Sequence, residues 1–279
     1  MSLIGDTFNL IFFGPIINIL VLILHGLQAA RIPGALGLAI IAMTILIRLL
    51  VWPFMHAQLK SAKQMAELKP HLDALKAKHG KDRQALAAAQ MQLYKEHGVN
   101  PAGGCLPALI QLPVIIALYR TIYAFFSGTA GLQQINQALY PFTGKLGATP
   151  DLHFFGLNLA AKPADFASAG VVVLAIPLIT VGLQFIQSKM MAMKPPEINS
   201  ADTKKEKEEK EELEDSMAAM QSQMIYLMPL MVGYFAFIFP TGLALYWNTF
   251  TIMGIIQQYT IAGWGGLDGW ISKIRVRER

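Results

Sequence analysis

The sequence predicts an all-α membrane protein with five transmembrane helices, a cytoplasmic helical hairpin and an N-terminal interfacial helix. Three observations lead there. Of 279 residues, 54% are hydrophobic and only 15% are charged, against about 25% charged in soluble domains. The apolar residues are gathered into runs near the ~20 residues that cross a bilayer. Lys and Arg accumulate in alternate segments between those runs, as they do in cytoplasmic loops.

The elements follow in chain order. Residues 1–33 contain the apolar run Phe8–Leu24, interrupted by Asn9, Gly14, Pro15 and Asn18. Asn18, His25 and Gln28 fall loosely on one side of a helical wheel, which suits an amphipathic helix in the outer interface. A sixth span is the alternative. The first residues carry no Lys or Arg, no small-residue cleavage site stands out and no lipobox cysteine is present. Neither a cleaved signal peptide nor a lipid anchor is therefore expected. The first span is 34–56, with Gly34–Phe54 as its apolar run. In 57–103, Met65, Leu68, Leu72 and Leu75 recur at three-four spacing, Gly80 breaks the pattern, and Leu86, Ala89 and Leu93 resume it. Two antiparallel helices, each with one apolar stripe, are expected. The second span is 104–127, and 128–169 reads as a loop. The third span is 170–190. Residues 191–223 form a loop holding the mixed-charge tract Lys204–Asp215, read as solvated. Residues 224–262 hold the fourth and fifth spans, Met224–Pro240 and Gly242–Ala262, as a tight hairpin. A basic tail, 263–279, ends the chain.

The loops set the orientation. Segment 57–103 carries Lys60, Lys63, Lys69, Lys76, Lys78, Lys81, Arg83 and Lys95, whereas 128–169 carries only Lys145 and Lys162. The tail carries Lys273, Arg275, Arg277 and Arg279. With Lys and Arg inside, the hairpin, the charged loop and the C-terminus are cytoplasmic, and the N-terminus is outside. The hairpin reads equally as a solvated basic surface and as a docking surface for a nascent chain, a ribosome or a targeting factor.

Arg48 is the informative residue of the spans. A charge at the centre of a membrane helix costs roughly 2.5–3.5 kcal/mol on insertion scales, and no span holds an Asp or Glu to pair with it. A hydrated, positively lined cavity is one reading; snorkelling to the interface is the other. Thr44 shares its helical face. Gln111, Gln184, Gln187, Trp247 and Asn248 add polar or amphipathic groups on other spans. Each alone reads as well as helix-to-helix glue; their recurrence favours a shared polar interior. Arg120, near the outer end of the second span, is expected to snorkel outward.

Several function classes lack their residues. The spans hold no His and no carboxylate in their cores, so intramembrane hydrolysis and proton relays have nothing to use. No Gly-rich phosphate loop appears. Cys105 is the only cysteine, which excludes an internal disulfide and a cysteine metal cluster. No cofactor, metal or catalytic residue is expected, and neither is enzymatic activity.

Three motifs carry a resemblance. Ile45–Pro53 holds Arg48 and leads into the hairpin. Val99-Asn100-Pro101-Ala102-Gly103-Gly104-Cys105-Leu106-Pro107 continues to Gln111-Leu112-Pro113. Phe239-Pro240-Thr241-Gly242-Leu243-Ala244-Leu245-Tyr246-Trp247-Asn248 runs on to Gln257-Gln258. In this order, with the hairpin between the first two, they resemble the YidC/Oxa/Alb family of membrane protein insertases. The resemblance covers about Pro15 to the C-terminus. It implies five helices around a hydrophilic groove that opens to cytoplasm and lipid and is closed outside. It places Arg48, Thr44, Gln187 and Trp247 in that groove, and it makes Pro15–Gln28 the outer-face helix. The long charged loop and the short basic tail depart from the family pattern.

The function this implies is a bacterial plasma-membrane insertase and chaperone for nascent membrane proteins. The groove would shorten the apolar path of a hydrophilic segment, and Arg48 would hold that segment's acidic residues. Implied partners are nascent chains, lipids, the ribosome and the Sec translocon, with no DNA binding and a monomer as the working unit. The rival is an anion transporter or channel built on Arg48.

Overall fold

The computed structural model describes residues 3–79, 82–99, 106–191 and 225–269. The charged tract Lys204–Asp215, the motif residues Asn100–Cys105 and the basic end Lys273–Arg279 lie outside them. The chain divides into two compact units: residues 1–51, 108–183 and 230–253, and residues 52–107, 184–229 and 254–279.

The first unit begins with a long helical run made of α1 (Leu3–Phe8), a π-helical turn at Asn9–Phe13 and α2 (Gly14–Ala29). Pro15 accounts for the wide turn. It has no N–H to donate, and its ring would press on the Ile11 carbonyl of a regular helix. The Gly14 N–H bonds instead to Asn9 O, five residues back. Ile16, Ile17, Leu20, Val21 and Leu24 are buried, and α2 packs against α3 (Ala35–Leu50). Outward, the run shows Leu10, Ile11 and Leu22, so its exposed side is apolar and suits lipid. The side bearing Asn18 is not a wet face. Asn18 is 2% exposed. Its Nδ2 donates to Gly14 O at 2.8 Å and Ala138 O at 3.0 Å, while its Oδ1 accepts from Tyr140 N at 2.7 Å and Thr143 Oγ1 at 2.6 Å.

Helix α3 buries Leu36, Ile40, Met43, Thr44 and Arg48 and exposes Leu46, Leu49 and Leu50, the two faces that 3.6-residue periodicity separates. Helix α7 (Leu106–Phe126) follows, with Pro113 inside it. Residues 128–169 were expected to be loop; they begin with α8 (Gly128–Ala138). Its signal is short: Leu132 and Ile135 pack on the core, and few other apolar positions continue the period. Gly131 lies so close to the Ala124 carbonyl that a Cβ would overlap it. The rest of the segment holds a two-residue hairpin, β1 (His153–Phe154) with antiparallel β2 (Leu157–Asn158), and the short α9 (Phe166–Ala169). Phe154 fills the space where a Cβ of Gly37 would lie. Helix α10 (Ala175–Met191) and α11 (Ile225–Ile238) are apolar. Phe239 and Pro240 then turn the chain into α12 (Thr241–Ala262). The Thr241 and Gly242 N–H groups donate to Ala161 O and Leu159 O, each at 2.8 Å. The core of this unit joins α2, α3, α7, α8 and the first turns of α12.

The second unit contains α4 (Trp52–Glu67), α5 (Lys69–His79) and α6 (Arg83–Glu96). The first arm of the expected hairpin is thus two helices rather than one. Pro70 explains the break at Leu68, since it withholds the bond that Ala66 O would accept. Pro53 acts likewise where α3 ends at Leu50. Helices α5 and α6 lie antiparallel, with the His71 and His97 rings 5.9 Å apart. Asp82 caps α6 by accepting from the N–H groups of Gln84 and Ala85, both at 3.0 Å.

Among the described residues, Gly5–Ala29 and Val171–Met191 are each long and apolar enough to cross a membrane. Ala35–Leu50 with Trp52–Ser61 makes a third if taken as one broken span, and Leu112–Phe126 and Ile225–Ile238 are shorter apolar helices. Helix α12 has 22 residues, but its hydroxyls and amides lower its hydropathy.

Candidate functional site

Arg48 belongs to the last turn of α3 and is 1% exposed. The inward series Leu36, Ile40, Thr44, Arg48 recurs every four residues, so the helix itself carries the charge inward. Snorkelling is not what the structure holds. Described protein groups meet the guanidinium. Its Nη2 donates to Phe250 O at 2.9 Å, and its Cζ lies 3.5 Å from the centre of the Phe250 ring. A carbonyl and a π face both attract a cation, which gives the charge protein partners of the right polarity.

The other expected residues are spread differently. Thr44 is fully buried, and its hydroxyl donates to Ile40 O of its own helix at 2.6 Å. The Trp247 ring is half-buried and stacks on Phe235, with centroids 6.2 Å apart and planes 4° from parallel. Asn248 Oδ1 is buried and meets no hydrogen-bond donor among the described residues. Gln184 and Gln187 are half-buried on α10 and belong to the second unit. The side chain of Gln111 lies outside the described residues. Within the first unit, Arg48 and Thr44 share one buried face, and the buried Tyr246 and half-buried Phe250 share a face of α12, their rings 5.8 Å apart.

Three arrangements escaped the sequence reading. Phe250 is one; its signal was its place four residues after Tyr246, on the same helical face. The partner of Gln257, a residue the sequence marks only as a polar motif position, is another: Gln257 is fully buried, and its Nε2 donates to Trp52 O at 3.2 Å within the second unit. The third concerns Arg120, which was expected to climb outward. Its Nη1 donates to Asn9 Oδ1 at 3.1 Å, and its Cζ lies 4.7 Å from the Phe13 ring centre and 5.8 Å from that of Phe8. The π-helical turn presents Asn9 and Phe13 to it together.

The sequence pattern of the family described as 60Kd inner membrane protein matches residues 28–264. A Maridesulfovibrio salexigens protein named membrane protein insertase YidC is 33% identical over 224 residues, which cover 80% of this chain and 34% of that one. A Fusobacterium nucleatum protein of the same name is 31% identical over 229 residues, 82% of this chain and 86% of that one. A Nitratidesulfovibrio vulgaris one is 31% identical over 258 residues, 92% of this chain and 40% of that one. The chain therefore spans only about a third of the Maridesulfovibrio relative's length. A crystal structure described as an active YidC insertase with its first transmembrane domain resolved is also similar. It is 26% identical, covers 80% of this chain and 41% of its own, and has a TM-score of 0.44.

Proposed function

This chain belongs to the 60Kd inner membrane protein family, and on that premise we propose that it is a membrane protein insertase of a bacterial plasma membrane. It lowers the barrier to moving a short hydrophilic segment of a nascent protein across the bilayer. Five spans surround a hydrophilic groove open to cytoplasm and lipid. The cytoplasmic hairpin receives the nascent chain, and the N-terminus lies outside. The substrate's apolar segment then leaves into lipid, where burial contributes about 25 cal/mol per Å². No bond is made or broken. Nascent membrane proteins and lipids are its partners, with the ribosome and the Sec translocon as sources of substrate, and it works as a monomer.

The observation that carries this reading is Arg48. A positive group is buried on the inward face of a membrane helix, where an ionisable residue is retained for function. It would hold acidic side chains of the substrate during transfer. Thr44, Trp247 and Asn248 would line the path with it; Gln111, Gln184 and Gln187 join them on the sequence resemblance. Closure on the outside is supported by the loop that reaches both the start of α3, through Phe154 at Gly37, and the start of α12, through Leu159 O and Ala161 O.

The test uses matched substrates with acidic or neutral tails, inserted into proteoliposomes holding the full chain. Arg48→Lys should keep most activity. Arg48→Ala should lose it, by roughly tenfold more on the acidic tail if one charged hydrogen bond is at stake. Full insertion of the acidic substrate by Arg48→Ala, at equal protein level, overturns the reading. Anion flux through the same liposomes without any nascent chain would favour the transporter instead.

A further inference from the structure

Phe250 meets Arg48 twice. Its carbonyl accepts from Nη2 at 2.9 Å, and its ring covers Cζ at 3.5 Å. The two contacts differ in kind. The carbonyl is part of the α12 backbone and stays where the helix is. The ring is attached through rotatable bonds, and Phe250 is half-buried while Arg48 is 1% exposed. Of the two residues, the phenylalanine is the one that reaches the accessible surface. Turning its ring aside uncovers one face of the guanidinium while the carbonyl keeps the group in place.

We propose that Phe250 is a specificity-determining residue of the insertase, a side-chain lid that only an anionic group displaces from Arg48. The proposal rests on the insertase reading above and adds the rule by which the site chooses. A carboxylate offers a guanidinium two short, charge-assisted hydrogen bonds. It therefore outcompetes a π face, whose attraction is electrostatic but weaker. A neutral amide or hydroxyl offers less and leaves the ring in place. The lid would also keep Arg48 from holding lipid phosphates or stray anions between substrates. Tyr246, its ring tilted 39° to that of Phe250 with centroids 5.8 Å apart, limits the directions in which the ring can swing.

The experiment measures the ratio of acidic-tail to neutral-tail insertion in the same proteoliposomes, with protein level recorded. Phe250→Leu keeps apolar bulk and removes the π face; Phe250→Ala also removes the bulk; Phe250→Trp strengthens the π face. All three keep the backbone carbonyl. Relative to the wild type, the ratio should fall about fivefold in Phe250→Leu and Phe250→Ala, because neutral tails then reach Arg48 as well, within the range spanned by a desolvated cation–π contact. It should rise in Phe250→Trp. In the Arg48→Ala background the same substitutions should leave the ratio unchanged, because the lid then covers nothing. An unchanged ratio in Phe250→Leu and Phe250→Ala overturns the lid while leaving the insertase reading intact, provided Arg48→Ala still lowers it. Equal loss on both substrates, or no accumulation of all three variants, shows Phe250 to be packing and also overturns it. If Arg48→Ala itself leaves the ratio unchanged, the insertase role of Arg48 fails first.

Discussion

At the scale of residues, the first unit is governed by a few buried polar side chains. Arg48 and Asn18 are both buried, and each is met by groups of the right polarity. Asn18 uses its amide fully. It accepts from Tyr140 N and Thr143 Oγ1 and donates to Gly14 O and Ala138 O. Removing that amide would leave buried donors and acceptors without partners, at a cost of about 1–3 kcal/mol each before relaxation. Asn18→Ala should therefore destabilise the fold by about 2–4 kcal/mol. Thermal unfolding in detergent would measure it, and a shift no larger than that of an exposed control such as Gln137→Ala would refute it. Arg48 stands on different ground. Its burial is costly, so Arg48→Ala is expected to change insertion far more than stability.

Helices and loops show how strongly local chemistry cuts the chain. Pro15, Pro53 and Pro70 each remove one backbone donor, and each coincides with a change in helical regularity: a π-helical turn, the gap between α3 and α4, and the break at Leu68. The described side chains of α4–α6 bury little apolar surface. Leu59, Leu68 and Val99 are its buried apolar residues among those described, whereas α2 alone buries Ile16, Ile17, Leu20, Val21 and Leu24. Regions with few buried contacts open first. Hydrogen exchange should accordingly be at least tenfold faster in α5 and α6 than in α2 and α3. Equal protection in both regions would contradict it.

For the molecule as a whole, the proposed topology rests on charge: it puts the lysines of 57–103 and the basic tail on the cytoplasmic side and the N-terminus and 128–169 outside. Single cysteines in a Cys105→Ser background test this in intact cells. Leu3→Cys and Phe155→Cys should react with a membrane-impermeant maleimide from outside, and Gln92→Cys only after permeabilisation. Leu3→Cys reacting only from the cytoplasm would make Gly5–Ala29 a sixth span, for which it has the length and hydropathy.

The amino-acid sequence by itself determined the class of the molecule. Apolar runs of membrane length, the Lys and Arg pattern and three ordered motifs sufficed for an all-α membrane protein, and the motif resemblance is borne out by the family match over 28–264. These features are legible because they are local: a hydrophobic run, a charge or a proline acts on its own neighbours. The same locality exposed Arg48 as an anomaly and placed Thr44 on its face. What covers Arg48 was decided by tertiary structure alone, since Phe250 lies 202 residues away in the chain and no periodicity connects the two. Asn18 is the same kind of case. Its polarity suggested a wet helix face, yet its partners come from 138–143 and turn that face inward. A polar side chain announces that it needs partners; only the packed chain supplies them, and whether they are water, backbone or a ring follows from which segments the fold brings beside it.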